Sequence, residues 1–153
     1  MSEERNLKLA KLWFEEMWSK PDLDIADEII HPDYDPDWVH IDARGAAQIK
    51  HEIRYFRSIF PDLEYEILDM TAGSDRVWVR YRGTGTQKGS AWGFEPGGEK
   101  VEFEGATILY TDRDGKIVDR WGAFCFYDIL TDLGLVPPLW ELGKHLNRPE
   151  TPV

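Results

Sequence analysis

The chain reads as an α+β fold, with helices first and antiparallel strands after. Three observations predict it. Apolar residues recur at helical spacing from Glu3 to Phe60, the chain from Leu63 onward alternates polar with apolar residues, and Gly- and Asp-rich turns separate the alternating runs. No helical stretch lies between successive strands, which argues against an alternating doubly wound fold.

The first helix spans Glu3 to Ser19, with Leu7, Ala10, Trp13, Phe14 and Met17 on one stripe, and Pro21 stops it. A short second helix covers Leu23 to Ile30, with Asp22 as its N-cap. His31 to Asp37 holds two prolines and clustered acids and reads as irregular. A third helix runs from Ala46 to Phe60 on the stripe Ile49, Ile53, Phe56 and Phe60. Strands follow at Leu63 to Met70, Arg76 to Tyr81, Lys100 to Tyr110 and Lys116 to Phe126. Thr111 to Gly115 is a hairpin turn in which Gly115 takes positive φ. A last helix from Tyr127 to Leu133 closes at Gly134. With no repeat or linker, residues 1–153 read as a single domain in which 137–153 form a tail that wraps the domain or reaches a partner.

At 153 residues the chain can bury a core without staples. Its 18 Lys and Arg against 29 Asp and Glu leave a net charge of −11, which repels phosphate backbones and anionic membranes, so neither nucleic acid nor membrane is an expected partner. No apolar leader opens the sequence and no run is long enough to span a bilayer. The lone Cys125 cannot form an internal disulfide, and the expected location is the cytoplasm. Seven Trp, seven Phe and six Tyr suit cores, interfaces and ligand pockets alike. Gly83, Gly85 and Gly89 do not fit the dinucleotide fingerprint, the four His and one Cys make no zinc spacing, and no G-x-S-x-G occurs. No cofactor and no metal are expected.

Asp114-Gly115-Lys116-Ile117-Val118-Asp119-Arg120-Trp121 and the following Asp132-Leu133-Gly134-Leu135-Val136-Pro137 resemble the DGKI-x-x-x-W and QLG-x-x-P segments of the SnoaL-like polyketide cyclases, a branch of the NTF2-like (cystatin-like) superfamily. Phe60-Pro61-Asp62-Leu63 is similar to the FPD segment of that family, and Arg44-Gly45 with Ile49 and Phe56 to its helix opening. Gly83 to Gly89 is similar to its GTHxG strand end, with Gln87 where His is usual. Glu95 to Val101 is similar to its PTGKxV turn. The resemblance implies a cone, a curved antiparallel sheet wrapped over N-terminal helices, holding an apolar pocket with a few ionisable groups at its bottom. It also implies homo-oligomerisation through the sheet, to a homodimer or larger, and cofactor-free aldol-type ring closure, with isomerases, dehydratases and epoxide hydrolases among the relatives. The family's catalytic aspartate stands four residues after the tryptophan, and here that position is Cys125.

Two readings of Cys125 follow, a reactive thiolate or a small buried hydrophobe. Asp128 is the nearest carboxylate to it in sequence, as catalyst or as first-turn partner of the helix dipole. His40 can act as acid or base near neutral pH, or serve the structure alone. Alternation places it with Trp38 and Asp42 if the segment is extended, and Asp42 alternatively caps the next helix. Thr107 shares strand parity with Val101, Phe103 and Leu109 and can orient a substrate oxygen. Trp78, Trp92, Phe94, Trp121 and Phe124 are candidate walls, and Tyr55 and Tyr127 candidate donors to an oxyanion. The expected function is acid/base cyclisation, isomerisation or dehydration of a small apolar carbonyl compound such as a polyketide or terpenoid. The alternative is a non-catalytic binding or interaction module.

Overall fold

The N-terminal helix changes pitch part-way along. α1 (Ser2–Lys11) runs into a π-helical segment, Leu12–Trp18, in the computed structural model, which describes residues 2–36 and 40–146. Trp13, Phe14, Met17 and Trp18 are all buried on that segment. Its last turn closes where the backbone N–H and the hydroxyl of Ser19 both donate to Phe14 O, at 3.2 Å and 2.7 Å. Such wide turns are rare and recur at functional sites.

α2 (Asp24–Ile29) has no side-chain cap. The amides of Ile25 and Ala26 are satisfied by the backbone carbonyls of Asp22 and Leu23, so Asp22 does not cap with its carboxylate. α3 (Ala46–Ile59) is capped by Gly45 at φ 64, not by Asp42, which is exposed. A Cβ on Gly45 would meet Pro32 O at 3.0 Å, and the Gly45 amide donates to Tyr34 O at 2.8 Å. Close backbone approach decides that cap, and a bulkier residue would have to push the chain apart.

Four antiparallel strands follow in the order β1-β2-β3-β4: β1 (Glu64–Ala72), β2 (Arg76–Thr86), β3 (Lys100–Thr111) and β4 (Ile117–Phe124). Irregularities in register between Ile67 and Asp69, and between Tyr110 and Thr111, bend the ladder. The second one also shifts the parity of β4, so that Ile117 and Arg120 are both buried. Gly115 sits in the β3–β4 hairpin at φ 80. α4 (Phe126–Asp132) starts after Cys125, whose amide donates to Glu104 O at 3.0 Å, and it ends before Gly134 at φ 72. A 3₁₀ turn (Leu139–Glu141) and α5 (Leu142–His145) complete the described chain.

The core lies between the helices and one face of the sheet. Trp13, Met17, Ile49, Ile53, Phe60, Val77, Leu109 and Ile117 are all but fully buried there. Each contributes about 1.5–3 kcal/mol by leaving water. Arg57 locks the wall of this layer. Its Nη1 donates to Trp18 O at 2.8 Å and to Leu63 O at 2.7 Å, tying α3 to the end of the π segment. Among the described residues no helix is long and apolar enough to cross a membrane.

Candidate active site

Strand alternation decides which side chains point towards the helices. Val79, Thr107 and Gly122 form one inward row across β2, β3 and β4, and Tyr81, Gly105 and Phe124 form the next. Two glycines hold this surface back. A Cβ on Gly105 would lie 2.5 Å from Tyr81 Oη, and one on Gly83 would lie 2.4 Å from the Phe103 ring. Between these rows, the π segment, α3 and α4 a cavity of about 470 Å³ opens. Its size is that of an ordinary small-molecule site.

Its walls are aromatic. Phe14 and Trp18 come from the π segment, Phe56 from α3, Tyr65, Tyr81, Phe103 and Phe124 from the sheet, and Phe126 from α4. Tyr65 and Tyr81 meet edge-on at 5.1 Å, and Phe14 lies 5.2 Å from Tyr81.

One ion pair is set into this apolar wall. Arg120 Nη2 donates to both carboxylate oxygens of Glu52, at 2.9 Å and 2.8 Å, and each side chain keeps only 7% of its exposure. Arg120 also lies over the Trp13 ring, with Cζ 5.4 Å from the centroid. Burial disfavours the guanidinium, but Glu52 and then Tyr34 outweigh it and hold Arg120 above its ordinary pKa. Breaking such a pair strands a buried charge, so the two side chains stand or fall together.

Thr107 lies diagonally across from Tyr81 on the inward face of β2 and β3. Burial pushes the Tyr81 phenol up to about 12, against the pull of Arg120 and then of Thr107. Tyr65 is raised as well, by burial and then by Tyr81 and Glu52. Both phenols therefore keep their protons at any physiological pH. His51 and Tyr55, on α3, also line the cavity.

The residues singled out from the sequence divide sharply. Thr107, Phe124 and Tyr55 line the cavity. Trp78 and Trp121 do not: they are 46% and 52% exposed on the opposite face of the sheet. Trp121 and Phe124 are an odd number of residues apart on one strand, so they cannot share a face. Cys125, on the outward parity, and Asp128, in the first turn of α4, are exposed and border a shallow groove with Glu102 and Glu104. Cys125 is thus not the buried hydrophobe either. His40 is exposed at φ 51 and does not line the cavity. Tyr127 donates to Pro137 O at 2.5 Å and anchors the start of the tail. Trp38 lies outside the described residues. Gln87 is buried and donates to Gly89 O at 3.1 Å, holding a loop base.

Sequence reasoning passed over Glu52, Arg120, Tyr81 and His51. A signal existed for the first two: Glu52 falls on the apolar stripe of α3 between Ile49 and Phe56, and Arg120 shares parity with Phe124. A charge on a buried stripe asks for a partner. Among the described residues no three His, Cys, Asp or Glu side chains are grouped to hold a metal ion.

Comparison with known proteins agrees with this architecture. Residues 8–133 match the model of the family described as SnoaL-like polyketide cyclase. TsrD from Streptomyces laurentii superposes with a TM-score of 0.78 at 20% identity, over 87% of this chain and 97% of its own. A protein from Jannaschia sp. CCS1 assigned as a SnoaL-like polyketide cyclase gives 0.75 at 24% identity, over 89% and 95%. AclR from Streptomyces galilaeus, assigned as a hydroxylase, gives 0.70 at 26% identity, over 88% and 98%. No curated protein matches in sequence.

Proposed function

Since the chain belongs to the SnoaL-like polyketide cyclase family, we propose that it is an enzyme of cyclase type, performing cofactor-free proton transfer on a small apolar carbonyl compound. The observation that carries this reading is the Glu52–Arg120 pair set into an aromatic cavity. Glu52 takes a proton from the carbon next to the substrate carbonyl. Arg120 orients the carboxylate and supplies its counter-charge. The Tyr81 hydroxyl, a donor at working pH, binds the oxygen on which the enolate charge develops, and Thr107 lines the cavity beside it. The carbanion then attacks a second carbonyl of the same molecule, and protonated Glu52 returns its proton to the new alkoxide. Carbon–carbon bond formation and proton return leave the enzyme unchanged.

Deuterium uptake from D₂O next to the carbonyl of 2-acetylnaphthalene, followed by NMR, tests the first step without knowledge of the natural substrate. The native protein should accelerate exchange, and Glu52→Gln should lose on the order of 10²- to 10⁴-fold of that acceleration. A native protein that binds the ketone but leaves its exchange rate at that of buffer is a binding module instead.

We place the enzyme in the cytoplasm as a homodimer. Trp78, Ile108 and Trp121 lie side by side across β2, β3 and β4 on the outer face, beside Arg80, Arg82, Glu66 and Glu104. Mixed charges around an apolar row suit a second copy of the same surface turned by a two-fold axis. Light scattering on Trp121→Glu reads that association.

A further inference from the structure

The chain between β2 and β3 makes a turn that its sequence resists. Ala91 and Phe94 exchange both backbone hydrogen bonds, at 3.0 Å and 2.7 Å, and the two residues between them, Trp92 and Gly93, have φ 48 and 83. Positive φ at both central positions marks a two-residue type I′ turn, which favours Asn, Asp or Gly at the first of them. A tryptophan there is strained, and such strain persists only where the surroundings hold it.

Two contacts hold it. The base of the loop is pinned to the end of α3, since the amides of Lys88 and Gly89 both donate to Ile59 O, at 2.9 Å and 3.3 Å. A Cβ on Gly89 would lie 2.0 Å from Ser58 O, so the two backbones approach too closely to admit even one methyl group between them. At the tip, Trp92 packs on Phe126 with ring centroids 4.9 Å apart and planes at 89°. Both rings line the cavity.

A perpendicular pair of rings makes a corner. A flat ring entering it stacks on one partner and meets the other edge-on, the two arrangements aromatic rings prefer. A flexible alkyl chain gains only ordinary contact there and loses rotamer freedom when fixed. We propose that the Trp92 turn is a preset aromatic clamp at the cavity, which selects flat ring-bearing ligands over aliphatic ligands of equal carbon count. This rests on the reading of the cavity as a site for small carbonyl compounds, but not on the catalytic role of Glu52.

The test is titration of the native protein and of Trp92→Ala, Trp92→Phe and Trp92→Gly with 2-acetylnaphthalene and with 2-dodecanone. The native protein should prefer the aryl ketone. Trp92→Ala should weaken the aryl ketone by about 2- to 10-fold and leave the alkyl ketone within about twofold. Trp92→Phe should restore most of the preference. Trp92→Gly should lose the preference like Trp92→Ala yet melt at a higher temperature than it, because glycine accepts the positive φ without strain. Equal weakening of both ketones, or an unchanged preference in Trp92→Ala, overturns the clamp. A native protein that binds neither ketone overturns the clamp and the carbonyl-site reading together. Selective binding without deuterium exchange removes the catalytic reading alone.

Discussion

On β4, Arg120, Gly122 and Phe124 face the helices, whereas Trp121 and Ala123 face away and Cys125 follows on the outward parity. The same division runs through β2, where Val79 and Tyr81 are buried while Trp78 and Arg80 are exposed. Inside, one ion pair is shut into aromatic surroundings. Outside, Arg80 and Arg82 meet Glu66, Glu102 and Glu104 under solvent. The two sets of charges have similar contact distances and very different weight. Exposed pairs contribute roughly 0–1 kcal/mol because water screens them, while removing one partner of a buried pair costs about 3–5 kcal/mol. Chemistry that depends on a desolvated carboxylate therefore belongs to the inner face.

The largest expected contrast lies in catalysis. Glu52→Gln should lower ketone exchange by on the order of 10²- to 10⁴-fold, whereas Cys125→Ser and Asp128→Asn on the outer groove should stay within about twofold. A collapse of exchange in Cys125→Ser would return the chemistry to the position the family signature marks.

Stability should divide along the same line. Arg120→Leu should cost about 3–5 kcal/mol in urea unfolding, since it strands the Glu52 carboxylate in the cavity wall. Combining it with Glu52→Leu should recover much of that loss, because no buried charge remains. A double variant no better than the sum of its parts would show that the two charges do not act as a pair.

Alkaline titration reaches the buried phenols of the inner face. The phenols of Tyr34, Tyr65 and Tyr81 are all raised by burial. A raised pKa means that the unfolded chain releases its proton first, so the stabilisation is whole below the unfolded value of about 10 and fades as pH climbs through the folded one. For Tyr81, with a folded value of about 12, the loss is about 2–3 kcal/mol by pH 12. The urea midpoint should therefore fall between about pH 10 and 12, and Tyr81→Phe should flatten that fall. A midpoint level across this range would contradict the burial of these rings.

The smallest effect on the folded monomer should come from Trp121→Glu, within about 0.5 kcal/mol as for an ordinary surface change. Its consequence should appear in mass instead, with light scattering reading a dimer for the native protein and a monomer for the variant. A variant that keeps the native mass would remove the outer row from the interface.

Local physics is legible in the sequence because it acts over a few residues. The helical stripe of Ile49 and Ile53, the alternation in β2 and β3, the hairpin at Gly115 and the stop at Gly134 each follow from spacing or from glycine's conformational freedom. The family signature likewise marks the architecture. Thr107 is legible as an inward group because β3 keeps an unbroken register against β2 from Val101 to Leu109, so Thr107 shares its face with both. Trp121 is not, because the irregularity at Val118, near the start of β4, resets which residues face in, and nothing in the run from Lys116 to Phe126 announces it.

What tertiary structure alone decides is which distant residues share a low-dielectric space. Glu52 and Arg120 are 68 positions apart, on a helix and a strand that only the folded sheet brings together. Tyr81 finds its place because Gly105, on the neighbouring strand, leaves room for its hydroxyl. Cys125 shows the converse. Counting along the chain puts it where the family signature sets its aspartate, but the end of β4 turns it to the solvent side, outside the aromatic cavity. Sequence determined the elements and their order through short-range geometry. The site arose from long-range packing, where burial, not position in the chain, gives a charged group its strength.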